Sequence, residues 1–102
     1  MMAKLFDRQV LHSYFDVVVK DETDFKIVER WEMVSWNGGR PQFEMRRFIR
    51  KGTEPEKVYK LVALKNDYVD TFNEVWPQIQ ADFQKESEAY EQKKKARRRN
   101  AS

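Results

Sequence analysis

A short segment of the chain, residues 34–48, combines guanidinium groups and aromatic rings with a tight turn. The turn residues are Asn37, Gly38 and Gly39, which readily take the positive φ angles that a two-stranded hairpin requires. Guanidinium groups bind phosphates and flat rings stack on unpaired bases, so this combination on an exposed ribbon is what a single-stranded nucleic acid requires. We therefore expect the hairpin to carry a binding surface.

Alternation along the second strand of this hairpin places Arg46, Phe48 and Arg50 on one face. One interpretation is a nucleic-acid surface, in which the arginines bind phosphates and Phe48 stacks on a base. The other is an exposed strand whose charges keep its edge from aggregating. Trp36, just before the turn, either stacks on a base as well or packs beneath the turn.

The remaining reactive residue types do not form a catalytic or metal-binding pattern. The sequence has no cysteine, and its single histidine, His12, has no second histidine or cysteine with which to hold a metal. A lone imidazole on a strand is more often structural than catalytic. Gly38 and Gly39 lack the strand-and-helix context of a phosphate-binding loop. We therefore expect no enzymatic activity, no cofactor and no metal.

The net charge of +3 is unevenly distributed along the chain. Residues 93–99 hold six of the twenty Lys and Arg residues, which leaves fourteen against seventeen Asp and Glu in the rest of the chain. An acidic body with two basic regions, this one and the hairpin, indicates a localised anion site. The basic end is interpreted either as a non-specific nucleic-acid arm or as a solubilising or regulatory tail.

Period-two patterns and turn residues predict four β-strands, and a change of period predicts one helix after them. The strands cover residues 10–20, 25–36, 42–50 and 58–64. Apolar residues then recur at spacings of three and four, which indicates an amphipathic helix with Asn66 as its N-cap. Because Pro77 falls within this pattern, we expect a bend or a break just before it.

The apolar stripe of the predicted helix carries large side chains that one small sheet is not expected to cover completely. Pairing of two protomers would hide the remainder, so we expect a homodimer. The stripe residues assigned to the dimer interface are Phe72, Trp76, Ile79 and Phe83.

Together these patterns predict an α+β fold, a four-stranded antiparallel β-sheet followed by a long C-terminal α-helix, in one domain. The domain spans residues 10–84. We expect residues 1–9 either to fray or to pack on the body, and the charged tail, 85–102, to be disordered at its end. No apolar run approaches the ~20 residues of a membrane span and no secretory leader is visible, so we expect a soluble cytoplasmic, nucleoid-associated protein.

The hairpin resembles the single-stranded-DNA-binding fold of transcriptional positive cofactor four and its bacterial YdbC-like relatives. The shared pattern is Val-Ser-Trp-Asn followed by Pro-x-aromatic-acidic-aliphatic-Arg-x-aromatic, which stands here in residues 34–37 and 41–48. The β-β-β-β-α order agrees over residues 14–79. The resemblance implies a dimer whose β-ribbons bind unpaired DNA. It also implies DNA-facing roles for Trp36, Arg40, Arg46, Phe48 and Lys60.

Our first hypothesis is a non-enzymatic protein that binds single-stranded DNA, with RNA as a further ligand, and has little sequence preference. It would support transcription, replication or recombination in a bacterium or phage. In this hypothesis four cations bind phosphates and two rings stack on bases: Arg40, Arg46, Arg50 and Lys60, with Trp36 and Phe48. The alternative is a protein-interaction module that uses the aromatic helix face or a sheet edge to bind a regulatory or host protein.

Overall fold

The computed structural model describes residues 7–101, which form a four-stranded antiparallel sheet followed by one long helix. The strands lie in chain order across the sheet. Their bounds are Arg8–Glu22 (β1), Phe25–Trp36 (β2), Pro41–Lys51 (β3) and Lys57–Leu61 (β4). A 3-10 turn at Asn66–Tyr68 leads into the helix, Val69–Ala101 (α1). The predicted α+β fold and its β-β-β-β-α order are confirmed.

The β2–β3 hairpin closes through the turn that the glycines predicted. The Gly39 N–H donates to the carbonyl of Trp36 at 2.8 Å, and the two residues between them have positive φ, 53° at Asn37 and 72° at Gly38. Such a turn matches the right-handed twist of the flanking strands. Pairing then runs without a register shift from Ser35 opposite Pro41 to Phe25 opposite Lys51. The hairpin is therefore a regular ribbon with a fixed register.

Paired residues of antiparallel strands point to the same face, so the register assigns each side chain to one side of the sheet. The helix-side face contains Trp31, which is fully buried and lies 4.6 Å from Phe15 and 6.0 Å from Phe72 between ring centroids. The other side, here called the open face, has no helix against it. Its residues on β2 and β3 are Lys26, Val28, Arg30, Glu32, Val34, Trp36, Gln42, Glu44, Arg46, Phe48 and Arg50.

Helix α1 differs from its predicted form in three ways. It begins at Val69 after the 3-10 turn, and Lys65, not Asn66, precedes that turn, without a capping side-chain hydrogen bond. The expected break before Pro77 does not occur, since Pro77 lies inside a single helix. The helix also continues through the basic segment to Ala101. Residues 1–6 and 102, which include most of the predicted N-terminal segment, lie outside the described residues.

The predicted dimer-interface stripe is used largely within the chain. Ile79 has an exposed fraction of 0% and belongs to the core of its own protomer, so its assignment to a dimer interface was wrong. Phe72 packs on Trp31 and, at 6.3 Å, on Phe43. The sheet covers these side chains because the long helix lies directly on the helix-side face. Trp76 remains 38% exposed, and Phe83 is partly buried.

Within residues 7–101, the structure contains no helix of sufficient length and apolar character to cross a membrane.

Candidate nucleic-acid interface

Some of the paired residues on the open face of the hairpin carry like charges, both basic and, at Glu32 opposite Glu44, acidic. Arg30 lies opposite Arg46, and Lys26 lies opposite Arg50. Like charges directly opposite each other on one face destabilise a sheet unless other groups compensate them. Carboxylates compensate part of this charge, since Arg46 pairs with Glu44 and Arg30 pairs with Asp16 and Glu56. Lys26 and Arg50 form no ion pair within residues 7–101.

A shallow depression of about 530 Å³ lies on the open face beside the hairpin turn, lined by Arg8, Trp36, Arg46 and Val58. The guanidinium carbon of Arg8 is 5.8 Å from the centroid of the Trp36 ring, and that of Arg46 is 5.4 Å from it. Both distances fall within the range of cation–π attraction, which holds planar cations against the indole. The depression thus presents two guanidinium groups and an aromatic ring as one surface.

The carboxylate of Glu44 lies beneath this surface and binds its side chains. Glu44 is buried, with an exposed fraction of 6%. It accepts a hydrogen bond from Trp36 Nε1 at 2.7 Å, from Arg46 Nε at 2.8 Å and from Arg8 Nη2 at 3.2 Å. Burial alone raises the pKa of Glu44, but these hydrogen bonds and the charge of Arg46 outweigh burial, and the pKa lies below its usual value. Glu44 is therefore ionised at neutral pH and fixes all three side chains.

The bonds to buried carboxylates do not use every donor of Arg8 and Arg46. Arg8 donates through Nε and Nη2 to Glu44, and through Nη2 to Glu32 at 2.8 Å. Arg46 also uses only Nε and Nη2 for Glu44. A guanidinium group has five N–H donors, and within the described residues the Nη1 groups of both arginines form no side-chain hydrogen bond. The two side chains are 10% and 17% exposed.

Arg8 is a site residue that the sequence interpretation missed, because it was placed in a segment without a clear pattern. The hairpin turn determines its position. Asn37 donates its backbone N–H to the carbonyl of Asp7 at 2.8 Å, and the Asn37 side-chain oxygen accepts from the Asp7 N–H at 2.7 Å. This pair of bonds aligns the start of β1 with the end of β2, where Arg8 lies opposite Trp36. No local pattern in the sequence indicated this position, because a register shift between Val10 and His12 interrupts the alternation of β1.

Phe48 does lie on the open face, but its ring is covered. Its exposed fraction is 6%, and the guanidinium carbons of Arg8 and Arg30 lie 5.2 and 4.8 Å from the ring centroid. Arg30 is itself held by both Glu56 and Asp16, and its pKa is raised, first by the hydrogen bond to Glu56. The expectation that Phe48 offers a bare ring to a base does not fit this geometry.

The remaining predicted cations do not all share the open face. Arg50 does, and it is exposed. Lys60 lies opposite Arg47, so its side chain leaves the sheet on the helix-side face, away from Arg46. Arg40 follows the turn but extends towards α1, where it pairs with Glu91 at 2.8 Å. The structure therefore places four of the six predicted residues on the open face: Trp36, Arg46, Phe48 and Arg50. Of these, Trp36 and Arg46 line the depression.

His12 belongs to a group of polar side chains that join β1 to α1. Its Nε2 lies 2.7 Å from Glu86, and the Tyr14 hydroxyl donates to Asp82 at 2.8 Å. Burial, then the hydrogen bond to Asp82, raises the pKa of Tyr14, which therefore stays protonated as a donor. Burial acts to raise the pKa of Asp82, but its hydrogen bonds from Tyr14 and Gln78 lower it overall. These bonds attach the helix to the sheet.

Across the described residues, no group of three or more His, Asp or Glu side chains is arranged to hold a metal ion. Comparisons with protein-family models, with curated proteins and with solved structures found no match. The functional interpretation therefore rests on the residues of this chain.

Proposed function

We propose that this protein binds single-stranded nucleic acid, DNA in the first place and RNA as a further ligand, on the open face beside the hairpin turn. It does so without catalysing a reaction and with little sequence preference. Phosphates contact the arginines, and bases stack on Trp36 and on the guanidinium planes beside it. Binding of this kind would serve transcription, replication or recombination.

The observation that carries this proposal is the depression formed by Arg8, Trp36 and Arg46. An indole ring with two guanidinium groups held against it combines the two chemistries that unpaired polynucleotides require, charge for the phosphates and a flat surface for the bases. The buried carboxylate of Glu44 keeps the three groups in place before any ligand arrives. Such preorganisation lowers the entropic cost of binding.

The proposal is tested by fluorescence polarisation with an unstructured DNA oligonucleotide, using Arg46→Gln and Arg50→Gln. Arg46 lines the depression, whereas Arg50 is exposed on the same face and forms no ion pair within the described residues. Each variant should weaken binding and reduce the slope of log affinity against log salt by about 0.7, the value for one lost phosphate contact on a single strand. Because Arg50→Gln removes no ion pair within the described chain, its effect reports on binding and not on folding.

The matched control is Lys60→Gln, which removes the same charge from the helix-side face. It should leave both the affinity and the salt slope close to those of the unchanged protein. Equal losses in Lys60→Gln and the two arginine variants would show that only the total charge matters, and would reject the open-face site.

We also propose that the protein acts as a homodimer. The support is Trp76, a large ring on α1 that is still 38% exposed after the helix has packed on the sheet. Burial of the remaining exposed surface of this ring in a second copy would favour association. Light scattering coupled to size exclusion measures this directly, and a monomer at micromolar concentration would contradict it.

The protein-interaction alternative is favoured by one observation, the composition of the β4 edge. Tyr59 and Leu61 on this short edge strand are 53% and 60% exposed. An extended segment of another protein could pair with such an edge. Salt titration separates the two functions, because binding to phosphates weakens steeply with salt whereas an interface anchored by apolar side chains does not.

A further inference from the structure

We propose that the protein has a second phosphate-binding site, in the cleft between the hairpin turn and the basic end of α1, formed by Lys93 and Arg97. This inference rests on the proposed function. In this arrangement, a single strand that leaves the open face next contacts the basic end of α1 at a defined site. The basic end therefore contributes more than a diffuse electrostatic attraction.

The uninterrupted course of α1 creates this cleft. Lys93 and Arg97 line a cavity of about 120 Å³ together with Gly38 and Gly39 of the turn and Tyr90 of the helix. The two cations are four residues apart and so lie on the same side of the helix, towards the turn. A disordered tail would not hold them there.

The cations of the cleft differ from those of the open face in their pairing. Within the described residues, neither Lys93 nor Arg97 forms an ion pair. Glu86, a carboxylate that itself lines the cleft, accepts its contact from His12 at 2.7 Å, and Glu91 pairs with Arg40 at 2.8 Å, so neither is bonded to Lys93 or Arg97. The charge of Lys93 and Arg97 is therefore available to an anion, whereas Arg8 and Arg46 share theirs with buried carboxylates.

The turn links the two sites because its residues contribute to both. Trp36 begins the turn and lines the depression on the open face, and Gly38 and Gly39 line the cleft on the helix side. The glycines carry no side chains that would block a passing backbone. A strand that stacks beside Trp36 and continues around the turn meets Lys93 and Arg97 next, so the second site adds affinity only for strands long enough to reach it.

The experiment compares oligonucleotides of about five and about twenty nucleotides, lengths around and beyond the site sizes common for single-strand-binding domains. The test variant is Lys93→Gln with Arg97→Gln. It should leave the short oligonucleotide bound as before, and lower the affinity for the long one with a salt slope reduced by about 1.4, or two phosphate contacts. Circular dichroism checks that the helix is retained.

The matched control is Lys95→Gln with Arg98→Gln, which removes the same charge from positions about 140° to 200° around the helix from Lys93. Both residues are exposed and neither lines the cleft. If the two double variants weaken the long oligonucleotide equally, the basic end acts only by diffuse charge and the second site is refuted. If the unchanged protein does not bind the short oligonucleotide, the open-face function itself fails, which is a distinguishable result.

Discussion

The indole N–H of Trp36 donates to the buried carboxylate of Glu44 at 2.7 Å, which ties the aromatic residue of the turn to the ion pairs of the open face. Two arginines, Arg8 and Arg46, donate to the same carboxylate. Removal of this acceptor would leave three donors without their buried partner, so one side chain controls both the stability of the hairpin and the shape of the depression.

We expect Glu44→Gln to lower the free energy of unfolding by about 1–3 kcal/mol at neutral pH, the cost of leaving buried donors poorly paired. The folded-state pKa of Glu44 lies below its ordinary value. Its contribution is therefore complete above about pH 4.3, the ordinary glutamate value, and is lost as the pH falls through the lower folded-state pKa. Urea unfolding at several pH values should show the difference between the two proteins shrinking under acid conditions.

The control for this prediction is Glu54→Gln, since Glu54 is exposed and has, among residues 7–101, only one ion pair, at 3.8 Å to Lys57. Its effect should stay within about 0.5 kcal/mol at every pH. A constant difference between Glu44→Gln and the unchanged protein from neutral to acid pH would contradict the assigned ionisation.

Asn37 supports the site through both its backbone conformation and its side chain. Replacement by alanine should destabilise the protein by more than about 1–2 kcal/mol. A positive φ at alanine costs about that much, and the bond to Asp7 is lost as well. Asn37→Gly keeps the conformation and loses only the side-chain acceptor, so its loss should be smaller. Thermal unfolding of the two variants measures the difference, and equal losses would argue against a strained backbone at this position.

Ile79 anchors α1 to the sheet in the core of the protomer. Ile79→Ala should lower the free energy of unfolding by about 2–5 kcal/mol, through lost burial and the cavity that remains. Denaturant unfolding monitored by circular dichroism tests this.

Trp76→Ala provides the comparison on the same helix, because Trp76 is partly exposed. In the proposed dimer it should act mainly on association, and its effect should grow with protein concentration. If Ile79→Ala showed the same concentration dependence, Ile79 would belong to the interface between protomers after all.

The fold was predictable because its signals are local. Asn37 and Gly38 take the positive φ angles that the turn requires. The alternation from Phe25 to Trp36 predicted both ends of β2 correctly. The helix was recognised from its period, but its start and its end were not. Asn66 is a good capping residue that the 3-10 turn does not use in that way, and the charged residues after Phe83 have high helix propensity once a long helix has been nucleated.

The sequence alone determined which side chains share a strand face, because alternation is a property of the extended backbone. Arg46, Phe48 and Arg50 were grouped correctly on that basis. Only the tertiary structure decided which of them is covered and what neutralises the others. Arg8 and Glu44 are 36 residues apart in the chain, yet they meet at one ion pair, and Lys60 faces away because the register of β4 sets its side. Contacts between distant residues depend on strand pairing and packing, which no local pattern encodes.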